Sequence, residues 1–201
     1  MSDIVCVTNR LLCREPFLNR INAVAKAKPR AIILREKDLP PDEYKRLAAQ
    51  VAEICDKNAV PLILHFHYDA AIELEQKSIH LPLFILRNMS ASKKACFNSI
   101  GVSCHSVEEA KEAEALGAAY ITAGHVFATD CKKGLAPRGL DFLRSVCNSV
   151  TVPVFAIGGI SSANFPSVIA SGAAGVCIMS ALMTCGDPAE YLKGFENGDE
   201  V

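Results

Sequence analysis

Short runs rich in valine and isoleucine alternate with longer amphipathic stretches about eight times along this chain, and few folds are open to such a pattern. The runs are Ile4 to Thr8, Ala31 to Leu34, Pro61 to His65, Ser78 to Leu81, Ile100 to Ser103, Tyr120 to Ala123, Val152 to Ile157 and Gly175 to Met179. They are apolar on both faces, as strands of a parallel sheet covered by helices must be. Eight strand-helix units predict an α/β fold, a single (β/α)8 TIM barrel at the short end of that architecture's length range. An open doubly wound sheet fits less well, because it rarely needs so regular a count. The barrel domain is expected to span residues 1–195, with 196–201 a frayed C-terminal tail.

The amphipathic stretches predict helices over 16–28, from Pro41 to about Lys57, through Ala70 and Leu74, over 90–97, from Ser106 to Leu116, over 140–146, from Ser161, and over 187–195. Pro41 suits a first helical position, and Leu47, Val51 and Ile54 of its helix share a face. Ser106-Val-Glu-Glu109 reads as a capping box, and Gly117 suits a left-handed helix end.

The chain has 201 residues, half of them hydrophobic, and a formal net charge of −1. That balance argues against a nucleic-acid or anionic-membrane surface, so any anion held is small. No run approaches the ~18 apolar residues of a membrane span. MSDIVCVTNR lacks the charged and apolar segments of a signal peptide, and the expected compartment is the cytoplasm. The nine cysteines are odd in number, and Cys6, Cys55, Cys104, Cys147 and Cys177 sit among apolar residues with no CxxC pair in the chain. They read as reduced, small apolar residues, and neither a metal nor a redox cofactor is expected.

Barrels place their chemistry at the C-terminal ends of the strands, and all five histidines fall there: His65, His67, His80, His105 and His125. The richest stretch is Gly124 to Gly139, GHVFATDCKKGLAPRG. His125 follows a strand end and a glycine, and its imidazole can take and return a proton near neutral pH. The plainer alternative is a histidine bonded to its own loop. Gly158-Gly159 after the seventh strand, opening a helix at Ser161, and Met179-Ser180 after the eighth offer backbone N–H groups to an anion. Lys132 or Lys133 from the neighbouring loop strengthens a phosphate reading. Arg35 and Lys37, two apart on an extended chain, either face an anion together or pair with Glu36 and Asp38 on the rim. His65 and His67 alternate to one face, but only Asp69 accompanies them, which is a poor metal set. Cys131, beside two lysines, reads as a neutral contact residue rather than a reactive thiol.

Arg35-Glu-Lys37, Gly101 to Glu109, Gly124-His-Val-Phe127 with Thr129-Asp-Cys-Lys-Lys-Gly134, and Ala156-Ile-Gly-Gly-Ile160 together resemble the superfamily of thiamine phosphate synthase and TenI, over nearly the whole chain. The synthase branch joins a pyrimidine diphosphate to a thiazole phosphate with magnesium. Its metal-holding pattern is Asn-Asp after the third strand and His-x-Gly-Gln-x-Asp after the fourth. Here those places read His65-Phe66 and His80-Leu-Pro-Leu-Phe-Ile85, and neither Phe66 nor Ile85 can ligate magnesium, which takes oxygen donors. The synthase's Gly-Pro-Val-Phe is replaced by Gly124-His125-Val-Phe, which resembles the TenI thiazole tautomerases. The resemblance therefore implies an isomerase of thiamine biosynthesis acting on a small phosphorylated thiazole, with His125 as acid/base and no metal or cofactor. It implies phosphate contacts from Thr129, Lys132, Gly158, Gly159, Met179 and Ser180, carboxylate contacts from Arg35 or Lys37, and a pocket completed by Ser103, His105 and Cys131. The alternatives are a thiamine phosphate synthase, a transferase, and a non-catalytic regulator that binds a thiazole or thiamine phosphate. A homodimer is compatible with a barrel of this size.

Overall fold

The computed structural model describes residues 3–132 and 134–195; the side chain of Cys131 and the tail expected to fray, residues 196–201, lie outside the described residues. Eight parallel strands close in sequence order, β1 (Ile4–Val7), β2 (Ala31–Leu34), β3 (Leu62–His65), β4 (Ser78–Pro82), β5 (Ser99–Cys104), β6 (Tyr120–Gly124), β7 (Val154–Ile157) and β8 (Gly175–Ile178), with β8 pairing back onto β1. The chain is a single (β/α)8 TIM barrel, as the alternation predicts.

Around the strands run α1 (Phe17–Lys26), α2 (Pro41–Lys57), α3 (Tyr68–Glu73), α4 (Leu83–Asn88), α5 (Ala91–Lys94), α6 (Val107–Ala115), α7 (Gly139–Cys147), α8 (Phe165–Ala170), α9 (Ser180–Thr184) and α10 (Pro188–Lys193). Pro41 is the first helical residue of α2. The face of α2 that buries most deeply carries Tyr44, Ala48, Val51 and Cys55, with Leu47 and Ile54 on its flank. The Tyr44 hydroxyl sets this rotation, donating to the Leu34 carbonyl at 2.7 Å and accepting the His65 N–H at 2.9 Å.

Three expected boundaries shift. The helix expected over 90–97 is the shorter α5, Ala91–Lys94, and is preceded by a separate α4 that the periodicity does not predict: Pro82 precedes it, and Leu83 and Leu86, three apart, bury one short face. The helix expected from Ser161 begins at Phe165, because Asn164 folds its side chain back to accept the Ser161 N–H and donate to the Gly159 carbonyl, holding residues 159–164 as a turn. The capping box is displaced by one residue. Glu109 N–H donates to Ser106 Oγ at 3.1 Å, while Glu109 Oε2 takes the N–H of His105, not of Ser106, at 2.6 Å.

Alternation along each strand divides two apolar cores. Ile4, Cys6, Ile32, Leu34, Leu64, Ile79, Leu81, Ile121 and Val176 point outward against the helices, and Val5, Val7, Ala31, Ile33, Phe155 and Cys177 fill the barrel with Ile63, Tyr120 and Ile157. Cys6, Cys55, Cys104 and Cys177 are buried and Cys147 half-buried, all as free thiols, and burial raises the pKa of each. No helix among the described residues is long and apolar enough to cross a membrane.

One glycine makes room for the interior. A Cβ on Gly101 would lie 2.0 Å from Tyr120 Cζ, overlapping that half-buried ring. Gly101→Ala is expected to destabilise the barrel by about 1–3 kcal/mol through overpacking, read as a lowered urea midpoint; an unchanged midpoint would show that Tyr120 shifts without cost.

Candidate active site

A cavity of about 660 Å³ opens at the C-terminal ends of the strands. One side chain from each strand lines its floor: Val7, Ile33, His65, His80, Ser103, Thr122, Ile157 and Cys177. The floor is divided. From β7 through β8 and β1 to β2 it is apolar or a buried thiol, and from β3 to β6 it is polar.

The polar half is a connected network. His80 Nε2 lies 2.8 Å from Ser103 Oγ and 3.3 Å from Thr122 Oγ1, its Nδ1 lies 3.1 Å from the Tyr120 hydroxyl, and Thr122 Oγ1 donates to Ser103 Oγ at 3.3 Å. The His65 ring stacks on that of His80, with centroids 5.8 Å apart and 21° between planes. Burial pushes the pKa of His80 down to about 3, with Lys37 adding to the effect. Burial, then His80, Lys37, Arg35 and His67, push that of His65 down to about 2. Both rings are neutral in the folded protein near pH 7.

His65 and His67 do not share a face. Phe66 between them has φ 69°, and the His67 N–H donates to the His65 carbonyl at 2.8 Å, which makes a γ-turn at the strand end. The turn leaves His65 in the cavity and packs the His67 ring on Tyr44 at 4.3 Å, outside the cavity lining.

The rim is cationic. Arg35 and Lys37 line the cavity, and the residues between and after them point elsewhere. Glu36 is buried: its Oε1 accepts from Thr8 Oγ1 at 2.6 Å, and its two oxygens accept the Arg10 N–H at 3.0 and 3.1 Å. Asp38 takes both Arg10 guanidinium nitrogens, at 2.7 and 2.6 Å, and this pairing holds its carboxyl below the usual carboxylate range. The rim-pairing alternative for Arg35 and Lys37 is thus filled by Arg10. Burial lowers the pKa of Lys37, and the charges of Arg35 and Lys132 lower it further, so three cations converge on one volume. Glu109 is the one carboxylate among the described lining residues.

His125 is buried in the wall. Its Nε2 lies 3.3 Å from the Leu135 carbonyl. A carbonyl only accepts, so this long bond assigns the proton of the neutral ring to Nε2 and the lone pair to Nδ1. His105 Nδ1–H donates to the Gly124 carbonyl at 2.9 Å, next to His125. Gly158 lies behind the imidazole with φ 103°; a Cβ there would sit 2.4 Å from His125 Cβ. Gly158 and Gly159 line the cavity, and their amides donate to no other described residue. They belong to a positive-φ turn, not to a helix start. Met179, Ser180, Thr129 and Lys132 complete this side. A second hollow of about 900 Å³ shares Arg35, Thr129, Lys132, Met179 and Ser180 and extends the site outward past Asn9 and Leu135.

Eleven sequence-derived site residues therefore line one cavity: Arg35, Lys37, Ser103, His105, His125, Thr129, Lys132, Gly158, Gly159, Met179 and Ser180. The contact role read for Cys131 and the cation read for Lys133 lie outside what is described. Sequence reading missed Thr122, Tyr120 and the strut Glu36. Thr122 was legible as the one polar inward position of β6, two residues on from Tyr120.

The fold and site define a (β/α)8 protein with a cationic cavity at its strand ends. The family described as thiamine monophosphate synthase matches residues 4–182, and the chain belongs to it. It is 38% identical over 191 residues to thiamine-phosphate synthase of Methanocella arvoryzae, covering 90% of this chain and 87% of that one. It is 33% identical over 195 residues to thiamine-phosphate synthase 2 of Streptococcus pneumoniae, covering 94% and 91%. The structure matches thiamine phosphate pyrophosphorylase from Pyrococcus furiosus with a TM-score of 0.82 and 27% identity, over 96% and 93% of the two chains.

The buried histidines make stability depend on pH. An unfolded histidine takes a proton below about pH 6.5, whereas folded His80 and His65 resist protonation to about 3 and 2. The unfolded state then binds more protons, so stability is full above about pH 6.5 and is lost as pH falls below it. Urea unfolding is expected to show a loss of about 1–3 kcal/mol from pH 6 to pH 5, with a shallower slope in His80→Gln; equal slopes would remove His80 from the account.

Proposed function

We propose that this member of the family is a thiazole tautomerase, an isomerase that aromatises a carboxythiazole phosphate by moving one proton. The observation that carries the reading is His125, buried in the wall of a cationic cavity with its Nδ1 lone pair left for a substrate proton.

The phosphate would lie against the free amides of Gly158 and Gly159 and the turn at Met179 and Ser180, with Thr129 and Lys132 beside it. Arg35 and Lys37 would neutralise the ring carboxylate from the end of β2, and Ser103 and His105 would close the polar side. In the first step Nδ1 of neutral His125 takes the ring C–H proton, and the electron pair moves into the developing aromatic ring. In the second, the exocyclic carbon takes the proton back from Nδ1. The histidine ends as it began, and the Leu135 carbonyl facing Nε2–H favours the transient imidazolium. The apolar half of the floor would hold the ring away from water.

The synthase resemblance implies magnesium, which takes oxygen donors. At the two places where the synthase pattern has aspartate stand Phe66 and Ile85. Among the described residues no group of three or more His, Cys, Asp or Glu could hold a metal ion. The donor set does not fit the hard oxygen coordination that magnesium needs.

A second reading, a transferase that forms thiamine phosphate, is favoured by the names of the relatives. It is supported if the purified protein joins the pyrimidine diphosphate and thiazole phosphate with magnesium. For the tautomerase reading, His125→Asn is expected to lower the tautomerisation rate, after subtraction of spontaneous aromatisation, by ~10²- to 10⁴-fold. A variant as fast as the wild type would remove His125 from the chemistry.

A further inference from the structure

The polar half of the floor carries one more proton than its own hydrogen bonds use. The Tyr120 hydroxyl has a single hydrogen-bond partner among the described residues, His80 Nδ1 at 3.1 Å. Burial raises the pKa of Tyr120, so the phenol keeps its proton and donates it to that one partner, since an unmade donor costs more than a change of tautomer. Nδ1 of His80 is then the acceptor, and the one proton of this neutral ring sits on Nε2. Nε2–H faces Ser103 Oγ at 2.8 Å and Thr122 Oγ1 at 3.3 Å, and Thr122 Oγ1 donates to Ser103 Oγ at 3.3 Å. Both lone pairs of Ser103 are thereby filled from within the protein. Its own hydroxyl proton is left with no acceptor among the described residues.

That proton turns to the cavity. Ser103 is half-buried and lines it, while Val102 and Cys104 on either side are buried outward among the helices, so the short side chain between them is directed inward. Its main chain lies between β4 and β6, level with Pro82 and Thr122, which leaves Cβ and Oγ as the surface it gives the cavity. Thr122 offers the same chemistry but is only 4% exposed, so the free proton falls to the more open hydroxyl. Tyr120 lies outside the cavity lining, yet the chain of donors begins with it. A tyrosine outside the site thus sets the direction of a hydroxyl within it.

We infer that Tyr120, acting through His80, fixes Ser103 as a hydrogen-bond donor to the ligand, and that the acceptor it serves is the ring nitrogen of the thiazole. The choice of acceptor rests on the tautomerase reading. Under that reading the phosphate is assigned to the glycine turn and the carboxylate to Arg35 and Lys37, which leaves the ring nitrogen as the remaining strong acceptor. A single neutral O–H suits a single neutral lone pair. Ser103 lies in β5 and His125 follows β6, its neighbour in the sheet, so one ring can present its nitrogen to the first and its C–H to the second. Ser103 is then a specificity-determining contact that accepts a lone pair and rejects an N–H at that point, and Tyr120 is a positioning residue.

The test begins with the tautomer, which needs no ligand. Long-range nitrogen–proton NMR correlation, with the His80 ring assigned by its loss in His80→Gln, is expected to show the proton on Nε2 in the wild type and a mixture of tautomers in Tyr120→Phe. Calorimetric titration then uses three probes: carboxythiazole phosphate, the same thiazole phosphate without the carboxylate, and inorganic phosphate. Ser103→Ala is expected to bind both thiazoles about three- to tenfold more weakly, the size of one neutral hydrogen bond, and inorganic phosphate as wild type does. Tyr120→Phe is expected to weaken both thiazoles about two- to threefold, as a half-populated competent tautomer requires. In the Ser103→Ala background it is expected to add nothing, because its effect passes through that hydroxyl, whereas a purely structural role adds in both backgrounds. A proton on Nδ1 in the wild type overturns the inference, as do additive losses. Weakening confined to the carboxylated compound gives the donor to the carboxylate and overturns the ring-nitrogen assignment. Should Tyr120→Phe fail to fold, the wild-type tautomer and the Ser103→Ala titrations decide. A wild type that tautomerises its substrate while Ser103→Ala binds both thiazoles undiminished overturns this contact alone. A wild type that binds neither thiazole overturns the tautomerase reading and the contact with it.

Discussion

Closure of eight strands into one ring governs this molecule, because it leaves a single interior to which every second residue of every strand must contribute. The chain fills that interior unevenly. Val5, Val7, Ile33, Phe155 and Cys177 give one half the packing a barrel needs. His80, Ser103 and Thr122 give the other half a hydrogen-bonded floor at the strand ends, with the His65 ring stacked on His80. Tyr120 links the two, reaching His80 with its hydroxyl and meeting Phe155 edge-on with its ring. Gly101 lets that ring lie flat against β5. The polar floor is tolerable because its hydroxyls and imidazole satisfy one another, and a half-satisfied network would be worse than an apolar one.

The position of His125 depends on close backbone approach between neighbouring strand ends. The β6 and β7 ends touch: Val126 N–H donates to the Ile157 carbonyl at 2.9 Å, and Phe127 N–H to the Gly158 carbonyl at 3.0 Å. The missing Cβ at Gly158 is what lets His125 lie there. Further along the same loop, Arg138 and Gly139 N–H groups return to the carbonyls of His125 and Val126, so the histidine sits in a loop closed on itself. The glycine amides to which the phosphate is assigned under the proposed function and the imidazole proposed as base are therefore parts of one contact between neighbouring strand ends, which would keep a phosphate and a proton acceptor at a fixed separation.

The barrel was legible because its signal repeats: eight apolar runs of similar length leave few arrangements, and error in any one run is absorbed by the rest. The cavity lining was legible for a related reason, since polar residues just past apolar strands have only the C-terminal mouth to occupy. Local geometry was less accessible. The γ-turn at Phe66 breaks the period of two that put His65 and His67 together, and no residue type advertises a positive φ at phenylalanine. The start of α8 depended on Asn164 folding back on its own loop, and the rotation of α2 on a Tyr44 hydroxyl reaching two strands. These are long-range or side-chain choices that a hydrophobic pattern does not encode. The departures at Phe66 and Ile85, by contrast, were visible in the sequence, and they separate this chain's donor set from the metal-holding pattern that its resemblance to synthases would suggest.

Glu36 carries a different kind of information. It is a buried carboxylate flanked by the two cations of the rim, clasped by Thr8 and the Arg10 amide while its neighbours face the cavity. The sign of the electric field at the mouth is thus written in register, one residue deep. Loss or gain of a single residue after β2 would exchange the positions, turning an acid toward the ligand and burying a base. Point substitution can tune this mouth gradually, but a change of length inverts it, so the loop can drift in composition far more freely than in size.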